Sequence, residues 1–482
     1  MSQVTRRDFL RNVAVYGGGA VFAPSLAGLA ACNDATTAVG AAAVQRAAKG
    51  FGGYGPLAVS ARCPELLVPE GFTVARLSQV TRASQADPSF TVPQALDGMA
   101  AFPLPNGNVR LIRNHEIRDS AAGALAIGPN AYDAKAGGGT SSLEVRVSGS
   151  GAERRVELLA EYVSLSGTHV NCAGGPTPWG SWLSCEETTE GEAQGRLRDH
   201  GYVFEVPASA TGPVDPLPLK AMGRFVHEAV AIDPVTGFVY ETEDMAFDPA
   251  SGRAGSGFYR FIPTVPGNLA AGGRLQVLAV KGKAQYNTIT GQRPGVILPV
   301  EWVDVDDADP AAAETNPSAV FQQGWNRGAA VFQRLEGCWY GDGSIFFNAT
   351  SGGDAGAGQV WQYRPLGSAQ AQLAGSGGQL ILVFESPSPE VMDSPDNICV
   401  SPRGGLVVCE DGAGVQFIRG LTRRGEVFDF VQTNGDMAEF CGACFSPDGE
   451  VLFFNIQGST SREGTGFGAT YAIWGPWEEG AL

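Results

Sequence analysis

The sequence contains few histidines, few basic residues and no long apolar segment. Four histidines in 482 residues disfavour a histidine-based or zinc-type hydrolytic centre. Lys and Arg total 33 against 50 Asp and Glu, and the net charge of −17 disfavours a nucleic-acid partner, because phosphate backbones need a basic surface. No helical periodicity extends beyond a turn or two, and no Gly-x-Ser-x-Gly motif is present for a serine nucleophile.

Glycine and proline, by contrast, are abundant, with 66 and 30 residues, and indicate a turn-rich all-β chain. Six turns are each followed by a short apolar strand that ends on acidic or amide side chains. They are Pro105-Asn106-Gly107 before Asn114-His115-Glu116, Pro178-Trp179-Gly180 before Glu186-Glu187, Asp233 to Gly237 before Glu241-Thr242-Glu243-Asp244, Gly341-Asp342-Gly343 before Asn348, Pro402 to Gly405 before Glu410-Asp411, and Pro447-Asp448-Gly449 before Asn455. Repeated strands without amphipathic helices are typical of a β-propeller. We therefore predict a six-bladed β-propeller over residues 56–482.

If each repeat is the same strand of its blade, the six strand ends meet at one mouth of the central channel. Carboxylates gathered there repel one another unless cations lie between them. The candidate metal ligands at these ends are Asn114, Glu116, Glu186, Glu187, Glu241, Glu243, Asp244, Glu410 and Asp411. Glu228, which precedes an apolar strand, and the pair Asp396-Asn397 are further candidates, with a surface turn and an Asx turn as the respective alternatives. The sequence thus predicts a site for several metal ions.

The nine cysteines do not form the pattern of a disulfide framework. Cys441 and Cys444 form one C-x-x-C pair with no second pair and no nearby histidine, so we interpret them as buried strand residues. Cys172 differs, because it lies in a Gly- and Asn-rich run where its side chain can face the channel.

The repeats are unevenly spaced, which predicts insertions between strands. The candidate segments are residues 119–139, 207–218 and 304–318, the last continuing to 327. Any of these segments can form a rim over the mouth.

The first residues predict an export signal. Thr5-Arg6-Arg7-Asp8-Phe9-Leu10 is a twin-arginine motif, and the apolar stretch behind it is too short and too weak to span a membrane. Leu29-Ala30-Ala31-Cys32 resembles a lipoprotein cleavage box with Cys32 as lipid acceptor; an ordinary cleavage site is the alternative. We expect a signal peptide over 1–32, a flexible spacer over 33–55, and a periplasmic or lipid-anchored protein. The twin-arginine machinery exports folded proteins, which favours a metal or cofactor protein.

Several motifs resemble those of the PhoX-type bacterial alkaline phosphatases. The most specific is the block from Asn171-Cys172 through Pro178-Trp179-Gly180 to Glu186-Glu187. Further matching segments are Arg113-Asn114-His115-Glu116, Gly223 to Glu228, Tyr240 to Asp244, Ser256 to Phe261, Ser394 to Asn397, Cys409-Glu410-Asp411 and Phe445 to Gly449 with Asn455. The resemblance covers nearly the whole mature chain.

This resemblance implies a channel mouth that holds two Fe³⁺ ions and several Ca²⁺ ions. By motif position, Cys172, Glu187, Glu243 and Glu336 are among the metal ligands, and Arg334 grips the substrate phosphate. Family members often have Arg-Pro-Glu where this chain has Arg334-Leu335-Glu336. The leucine loosens the backbone but keeps both functional side chains.

The implied chemistry agrees with the residue types. Ca²⁺ prefers carboxylate and amide oxygens, whereas a thiolate such as Cys172 suits iron. Clustered cations neutralise phosphoryl oxygens, and a guanidinium adds a planar, bidentate contact that lysine does not offer. We expect a monomer that acts on a small phosphorylated substrate. Two alternatives remain open: a calcium-stabilised binding or scaffold propeller without catalysis, and a phosphodiesterase or phosphotriesterase of the same family.

Overall fold

The computed structural model describes residues 51–118, 125–250, 253–373, 375, 377–435, 437–460 and 466–482. The predicted signal peptide over 1–32, Cys32 and most of the predicted spacer lie outside the described residues. Within the described part, no helix has both the length and the apolar character needed to cross a membrane.

The described residues contain 28 strands, and most of them form six antiparallel blades around a channel. The N-terminal strands are β1 (Leu57–Val59), β2 (Leu66–Pro69) and β3 (Thr73–Gln79). Blade 1 contains β4 (Leu96–Pro103), β5 (Val109–His115), β6 (Gly138–Ser148) and β7 (Arg155–Thr168). Blade 2 contains β8 (Asn171–Pro176), β9 (Ser181–Glu186) and β10 (Val203–Pro207).

Blade 3 contains β11 (His227–Ile232), β12 (Val239–Glu243), β15 (Phe258–Pro263) and β16 (Gly273–Val280), with the small hairpin β13 (Phe247–Asp248) and β14 (Arg253–Ala254) inserted and β17 (Ile297–Asp304) outside. Blade 4 contains β18 (Leu335–Gly341), β19 (Ser344–Ala349), β20 (Gln359–Pro365) and β21 (Gly378–Glu385). Blade 5 contains β22 (Pro395–Val400), β23 (Leu406–Glu410), β24 (Phe417–Leu421) and β25 (Val427–Thr433). Blade 6 contains β26 (Phe440–Phe445), β27 (Leu452–Ile456) and β28 (Ala469–Trp474). The short helices are α1 (Ala319–Trp325) and α2 (Ala369–Leu373).

Strands from the first and last parts of the described chain close the ring. Strand β3 pairs with β28 and so completes blade 6 as its outermost strand. Strand β2 pairs with β25 at the edge of blade 5, and β17 pairs with both β16 and β21, which joins blades 3 and 4 into one sheet. Because closure joins distant parts of the chain, the innermost strands β4, β8, β11, β18, β22 and β26 line one channel.

The predicted repeat is confirmed as the hairpin between the first and second strands of every blade. Each turn connects β4 to β5, β8 to β9, β11 to β12, β18 to β19, β22 to β23 or β26 to β27. Gly107 and Gly449 have φ angles of 84° and 73°, a left-handed conformation that glycine adopts at little steric cost. All six turns lie at one end of the channel, so the second strands all end at the other.

One innermost strand also places a large side chain near the centre of the channel. Trp339 of β18 packs against hydrophobic clusters contributed by several blades. Beside it, a cavity is lined by small residues of the innermost strands, among them Gly98, Ala173 and Gly442. Trp339 therefore lies where the inner faces of several blades meet.

The predicted insertions differ in position. In the first segment, residues 125–137 lead into the mouth end of β6, and residues 119–124 lie outside the described residues. Glu314, in the 304–318 segment, accepts a hydrogen bond from the backbone N–H of Ala193, in the loop that leaves the mouth end of β9. Residues 207–218 start at the turn end, where Pro207 pairs with Ser181, and then return along blade 2 until Pro218 bridges Phe204. Asn130 Nδ2, in the first segment, donates to Asp215 Oδ1 at 3.4 Å. A contribution of residues 207–218 to the rim stays a prediction.

Candidate metal centre

Every innermost strand carries the same irregularity where it leaves the mouth. In blade 1, Leu96 pairs with His115, and the next pair is Met99 with Arg113. Between these two pairs β4 moves on by three residues and β5 by only two, so β4 contains one extra residue. The other five blades repeat this β-bulge. The first bulged residues are Asp97, Cys172, Glu228, Glu336, Asp396 and Gly442, in the order of the blades. Five consecutive blades thus place a metal-ligand type of side chain at one structural position.

The backbone before this position is strained in four blades. Ala95, Val170, Arg334 and Ser394 have φ angles between 49° and 53°, and each lies two residues before the first bulged residue. A left-handed conformation is unfavourable for residues with a Cβ, most of all for β-branched Val170. Strain repeated at one position is a mark of a functional site.

Small residues after the ligand position let neighbouring blades approach closely. A Cβ on Gly98 would lie 2.6 Å from the Cα of Ala173, and a Cβ on Gly337 would lie 2.7 Å from the carbonyl oxygen of Asp396. This close approach brings the first bulged residues of adjacent blades together at the mouth.

The second strands add acidic residues at the same mouth. Glu116, Glu187, Asp244 and Asp411 directly follow β5, β9, β12 and β23. Because neighbouring residues of a strand face opposite ways, the residue before each of them faces away from the mouth. The acidic pairs of the sequence are therefore divided between two environments.

Among the described residues, five groups of three potential ligands have their ligand atoms within 4.8 Å of one another. The groups are Asp97, Glu116 and Cys172; Cys172, Glu187 and Glu228; Glu228, Glu336 and Asp396; Asp396, Asp411 and Glu439; and Asp97, Glu439 and Cys441. Consecutive groups share a residue, so together they form a closed ring around the channel. We call these ten residues the mouth cluster.

The described residues provide few hydrogen-bond donors for the carboxylate oxygens of the mouth cluster. The Cys172 thiol donates to Glu228 Oε1 at 3.2 Å, whereas buried Glu228 Oε2 has no hydrogen-bond partner among the described residues. Burial, together with neighbouring carboxylates, holds the pKa of Asp97 and Glu228 well above the usual range. Burial and Asp411 raise the pKa of Asp396 to about 7. Ionisation of all these carboxylates at once is therefore unfavourable unless cations bind among them.

Two arginines lie at the mouth beside these carboxylates. Arg334 donates to both oxygens of Asp244, from Nε at 3.0 Å and Nη2 at 2.7 Å, and its Nη2 lies 3.1 Å from Glu336 Oε1. Arg118, which sequence reasoning missed, contacts Glu116 and Glu187 through Nη2. The Nε/Nη2 edge of Arg334 is therefore already occupied by Asp244.

Seven of the predicted ligands meet in the mouth cluster: Glu116, Cys172, Glu187, Glu228, Glu336, Asp396 and Asp411. Asp244 lies beside it and orients Arg334. Asn397 donates to Asp396 Oδ1 at 2.7 Å and accepts the backbone N–H of Gly442 at 2.6 Å. Asn397 thus connects the bulges of blades 5 and 6.

The structure does not bring Glu186, Glu243 or Glu410 into the mouth cluster. Each faces away from the mouth and is held by protein donors. Glu186 accepts from His200 Nδ1 at 2.7 Å and from three backbone N–H groups. Glu243 accepts from Gly257 N and Tyr259 Oη at 2.8 Å, and Glu410 from Arg419 Nε at 2.7 Å.

Glu241 and Asn114 also lie outside the cluster. Glu241 is two residues from Glu243 in β12 and shares its face, with Oε2 3.5 Å from His227 Nδ1. Asn114 Nδ2 donates to the carbonyl oxygens of Cys172 and Ala173 at 3.0 and 2.7 Å. Asn114 therefore tethers the bulge of the next blade instead of lying among the potential ligands.

The same kind of tether recurs in three other blades. Thr242 donates to the Glu336 carbonyl, Asn348 to that of Asp396 and Asn455 to that of Asp97. The amides that end the predicted repeats thus hold the strained bulges from one blade to the next.

Sequence reasoning missed Asp97, Glu439 and Gln457, and treated Cys441 as a buried strand residue only. Gln457 Nε2 donates to Asp97 and Glu116 at 3.0 and 2.7 Å. Asp97 had a usable signal, since an acidic residue followed by a small one precedes the turn in blades 1, 3 and 4. Glu439 and Cys441 had no such signal in the sequence, because only the closure of the ring brings these two residues beside Asp97.

The comparisons with known proteins agree with this architecture. A family model described as "Alkaline phosphatase PhoX" matches residues 52–459. The structure of Pseudomonas fluorescens PhoX in complex with vanadate, a transition state analogue, is similar with a TM-score of 0.63 and 18% identity, over 89% of this chain and 98% of that chain. The gluconolactonase XC5397 from Xanthomonas campestris is similar with a TM-score of 0.42 and 12% identity, over 88% and 98% of the two chains. No curated protein matches.

Proposed function

The chain belongs to the PhoX family of alkaline phosphatases, and from this membership and the mouth cluster we propose that it hydrolyses phosphate monoesters at a calcium and iron centre. The observation that carries the proposal is the ligand position repeated in five consecutive blades. Strained backbone and unpaired carboxylates both cost stability. Their repetition around one mouth has no folding purpose, so we assign it to ion binding.

The residues fit such ions. Cys172 belongs to two adjacent groups, with Asp97 and Glu116 on one side and with Glu187 and Glu228 on the other. A thiolate between carboxylates suits iron, so these residues would hold it. The remaining groups offer carboxylates and suit Ca²⁺: Glu228, Glu336 and Asp396, and Asp396, Asp411 and Glu439. When bound, the ions supply the positive charge that phosphoryl transfer requires.

The side chains of the protein bind and orient the substrate. Asp244 fixes the plane of the Arg334 guanidinium through two hydrogen bonds, and Arg334 Nη1 has no partner among the described residues. Nη1 is therefore free to donate to a phosphoryl oxygen in a charge-assisted hydrogen bond. Below the mouth, Trp339 packs against hydrophobic clusters of several blades.

The test is elemental analysis of the folded pre-export protein, combined with hydrolysis assays on a phosphate monoester, a diester and a triester. We expect calcium and iron in the protein, and turnover that is fastest on the monoester. Metal without turnover on any ester would support the scaffold alternative instead. Faster turnover of the diester or triester would identify a different phosphoric ester hydrolase.

We also propose export by the twin-arginine machinery to the periplasm or to a lipid anchor at Cys32. The support is the Arg6-Arg7 motif and the cleavage box at Leu29-Ala30-Ala31-Cys32. Replacing both arginines by lysine should leave the protein in the cytoplasm, as cell fractionation will show. Replacing Cys32 by Ser should release it from the membrane fraction; an unchanged distribution would leave only an ordinary cleavage site.

A further inference from the structure

We propose that Arg118 is a second phosphate-binding residue, which acts with Arg334 to favour a dianionic phosphomonoester over a monoanionic diester. This inference rests on the proposed function, because it concerns the substrate of the same mouth. It assigns a role to a charged residue that neither the repeat nor the resemblance identified.

Arg118 covers the solvent side of the mouth cluster. Its Nη2 contacts Glu116 Oε1 and lies 2.6 Å from Glu187 Oε2. The Arg118 side chain is 51% exposed, whereas those of Glu116 and Glu187 are 4% and 10% exposed. An anion that approaches the two groups sharing Cys172 from solvent therefore meets this guanidinium first.

Most donors of Arg118 remain available. One nitrogen, Nη2, makes both carboxylate contacts, and Nε and Nη1 have no partner among the described residues. Arg334 differs, because Asp244 occupies its Nε/Nη2 edge and leaves Nη1 free. Arg118 thus offers the donors that Arg334 lacks.

The two arginines belong to one connected arc of charge. Glu187 accepts from Arg118, and Asp244 binds Arg334 through two hydrogen bonds. Glu187 and Asp244 directly follow β9 and β12, the second strands of two neighbouring blades. Both cations therefore border the same part of the mouth. Carboxylates fix both guanidinium groups before a substrate arrives, which lowers the entropic cost of binding it.

Charge explains why this arrangement selects a monoester. The chain has a net charge of −17 and a mouth lined by carboxylates, so an anion is attracted only by local cations. The phosphoryl group of a monoester carries two negative charges and three unesterified oxygens, whereas a diester carries one charge and two such oxygens. A second guanidinium therefore gains more from the monoester.

The experiment compares Arg118→Ala and Arg118→Lys in the full-length, metal-loaded protein. Arg146→Ala is the matched control, because Arg146 is a similarly exposed arginine paired with Glu157 on blade 1. The measurements are kcat and KM for p-nitrophenyl phosphate and bis(p-nitrophenyl) phosphate, the shift in Tm caused by inorganic phosphate, and metal content.

For Arg118→Ala we expect kcat/KM to fall about tenfold or more on the monoester and by less than about threefold on the diester, since a charge-assisted contact is lost. The phosphate-induced shift in Tm should shrink, and the metal content should stay unchanged. Arg118→Lys keeps the positive charge but loses the planar set of N–H donors, so its loss of kcat/KM should lie between those of the parent and Arg118→Ala. If Arg118→Ala fails to fold, Arg118→Lys is the variant that tests the inference. Arg146→Ala should behave like the parent.

Three outcomes would overturn the inference while leaving the proposed function intact: unchanged kinetics, an equal loss on both esters, or loss of metal from Arg118→Ala. The last would show that Arg118 only holds Glu116 and Glu187 in place. A metal-loaded parent without activity on the monoester would instead contradict the proposed function itself.

Discussion

The mouth cluster and the network where blades 1 and 2 meet both bury carboxylates, but they satisfy them differently. In the network, His200 lies between Glu186 and Asp133, at 2.7 and 3.4 Å, and backbone N–H groups complete the coordination of Glu186. Burial lowers the pKa of His200, but the two carboxylates raise it more, so the net shift is upward. This network is electrostatically complete without any ion.

The mouth cluster has partners too, such as Arg118 beside Glu116 and Glu187, but the described residues offer too few of them for its eight carboxylates. Glu187 is the next residue after Glu186, yet burial and the nearby Glu116 hold its pKa well above the usual range. The difference between two adjacent glutamates shows that burial alone does not identify a functional carboxylate. The informative property is the grouping of several buried carboxylates with too few protein donors, since Glu241 also lacks hydrogen-bond partners among the described residues yet lies outside the cluster.

Removal of the ions should give the largest effect. Chelation should abolish hydrolysis of a phosphate monoester, a loss of more than about a hundredfold, and lower the Tm, because the mouth carboxylates then repel one another. Activity and calorimetry before and after readdition of Ca²⁺ and iron measure both effects. Full activity of the metal-free protein would contradict the conclusion that the mouth cluster needs ions and the buried network does not.

The adjacent glutamates provide the sharpest pair of variants. Glu187→Gln should reduce metal content and lower kcat by about a hundredfold or more, without destabilising the metal-free protein, because it removes one of several repelling charges. Glu186→Gln should instead lower the free energy of unfolding by about 2 to 4 kcal/mol with metal content retained, because it removes the charge opposite His200. The same phenotype for both variants would contradict the division into two environments.

Cys172→Ser tests the soft ligand of the mouth cluster. A serine hydroxyl ionises poorly and is a hard donor, so iron content and any thiolate-to-iron absorption band should fall together. Calcium content should change less, because carboxylates form the other groups. Cys409→Ser, at a buried cysteine outside the cluster, is the control. Unchanged iron and spectrum in Cys172→Ser would make Cys172 a structural residue.

Arg334→Ala should have a smaller effect than loss of a ligand. The metals should stay in place, while KM and the inhibition constant for inorganic phosphate rise about tenfold to a hundredfold, since one oriented donor is lost. Steady-state kinetics and elemental analysis measure these quantities. Kinetics indistinguishable from the parent would rule out phosphate binding by Arg334.

The smallest expected effect concerns a tether. Asn348→Ala removes the hydrogen bond to the Asp396 carbonyl and should lower the free energy of unfolding by about 1 to 2 kcal/mol, with a modest loss of metal affinity. Asn106→Ala, at a turn on the opposite side, removes exposed contacts to Glu144 and should cost less. Denaturant unfolding of both variants is the measurement. Equal costs would mean that the bulges need no tether.

The sequence predicted the blades well, because turns and alternating strands are local patterns. Each of the six turns connects the first two strands of a blade, and the acidic residues that directly follow β5, β9, β12 and β23 were all among the predicted site residues. It predicted the site less completely. Glu186, Glu241, Glu243, Glu410 and Asn114 were grouped with residues that face the other way.

The reason for this division is the geometry of the bulge. One extra residue in an innermost strand, entered through a left-handed residue such as Val170 or Arg334, decides which side chain reaches the channel. Strand alternation then assigns Glu187 to the mouth and Glu186 to the sheet. Local residue patterns do not reveal a shift of one residue.

The amino-acid sequence by itself determined the propeller, its single mouth and the types of ligand there, since these follow from short repeats of turn, strand and acidic residue. Tertiary structure alone decided the membership of the mouth cluster. Glu439 meets Asp97 only because β3 closes the ring, and Arg118 meets Glu187 only because blades 1 and 2 lie side by side. Contacts between residues so distant in the chain depend on ring closure and on a one-residue bulge, neither of which a local pattern encodes.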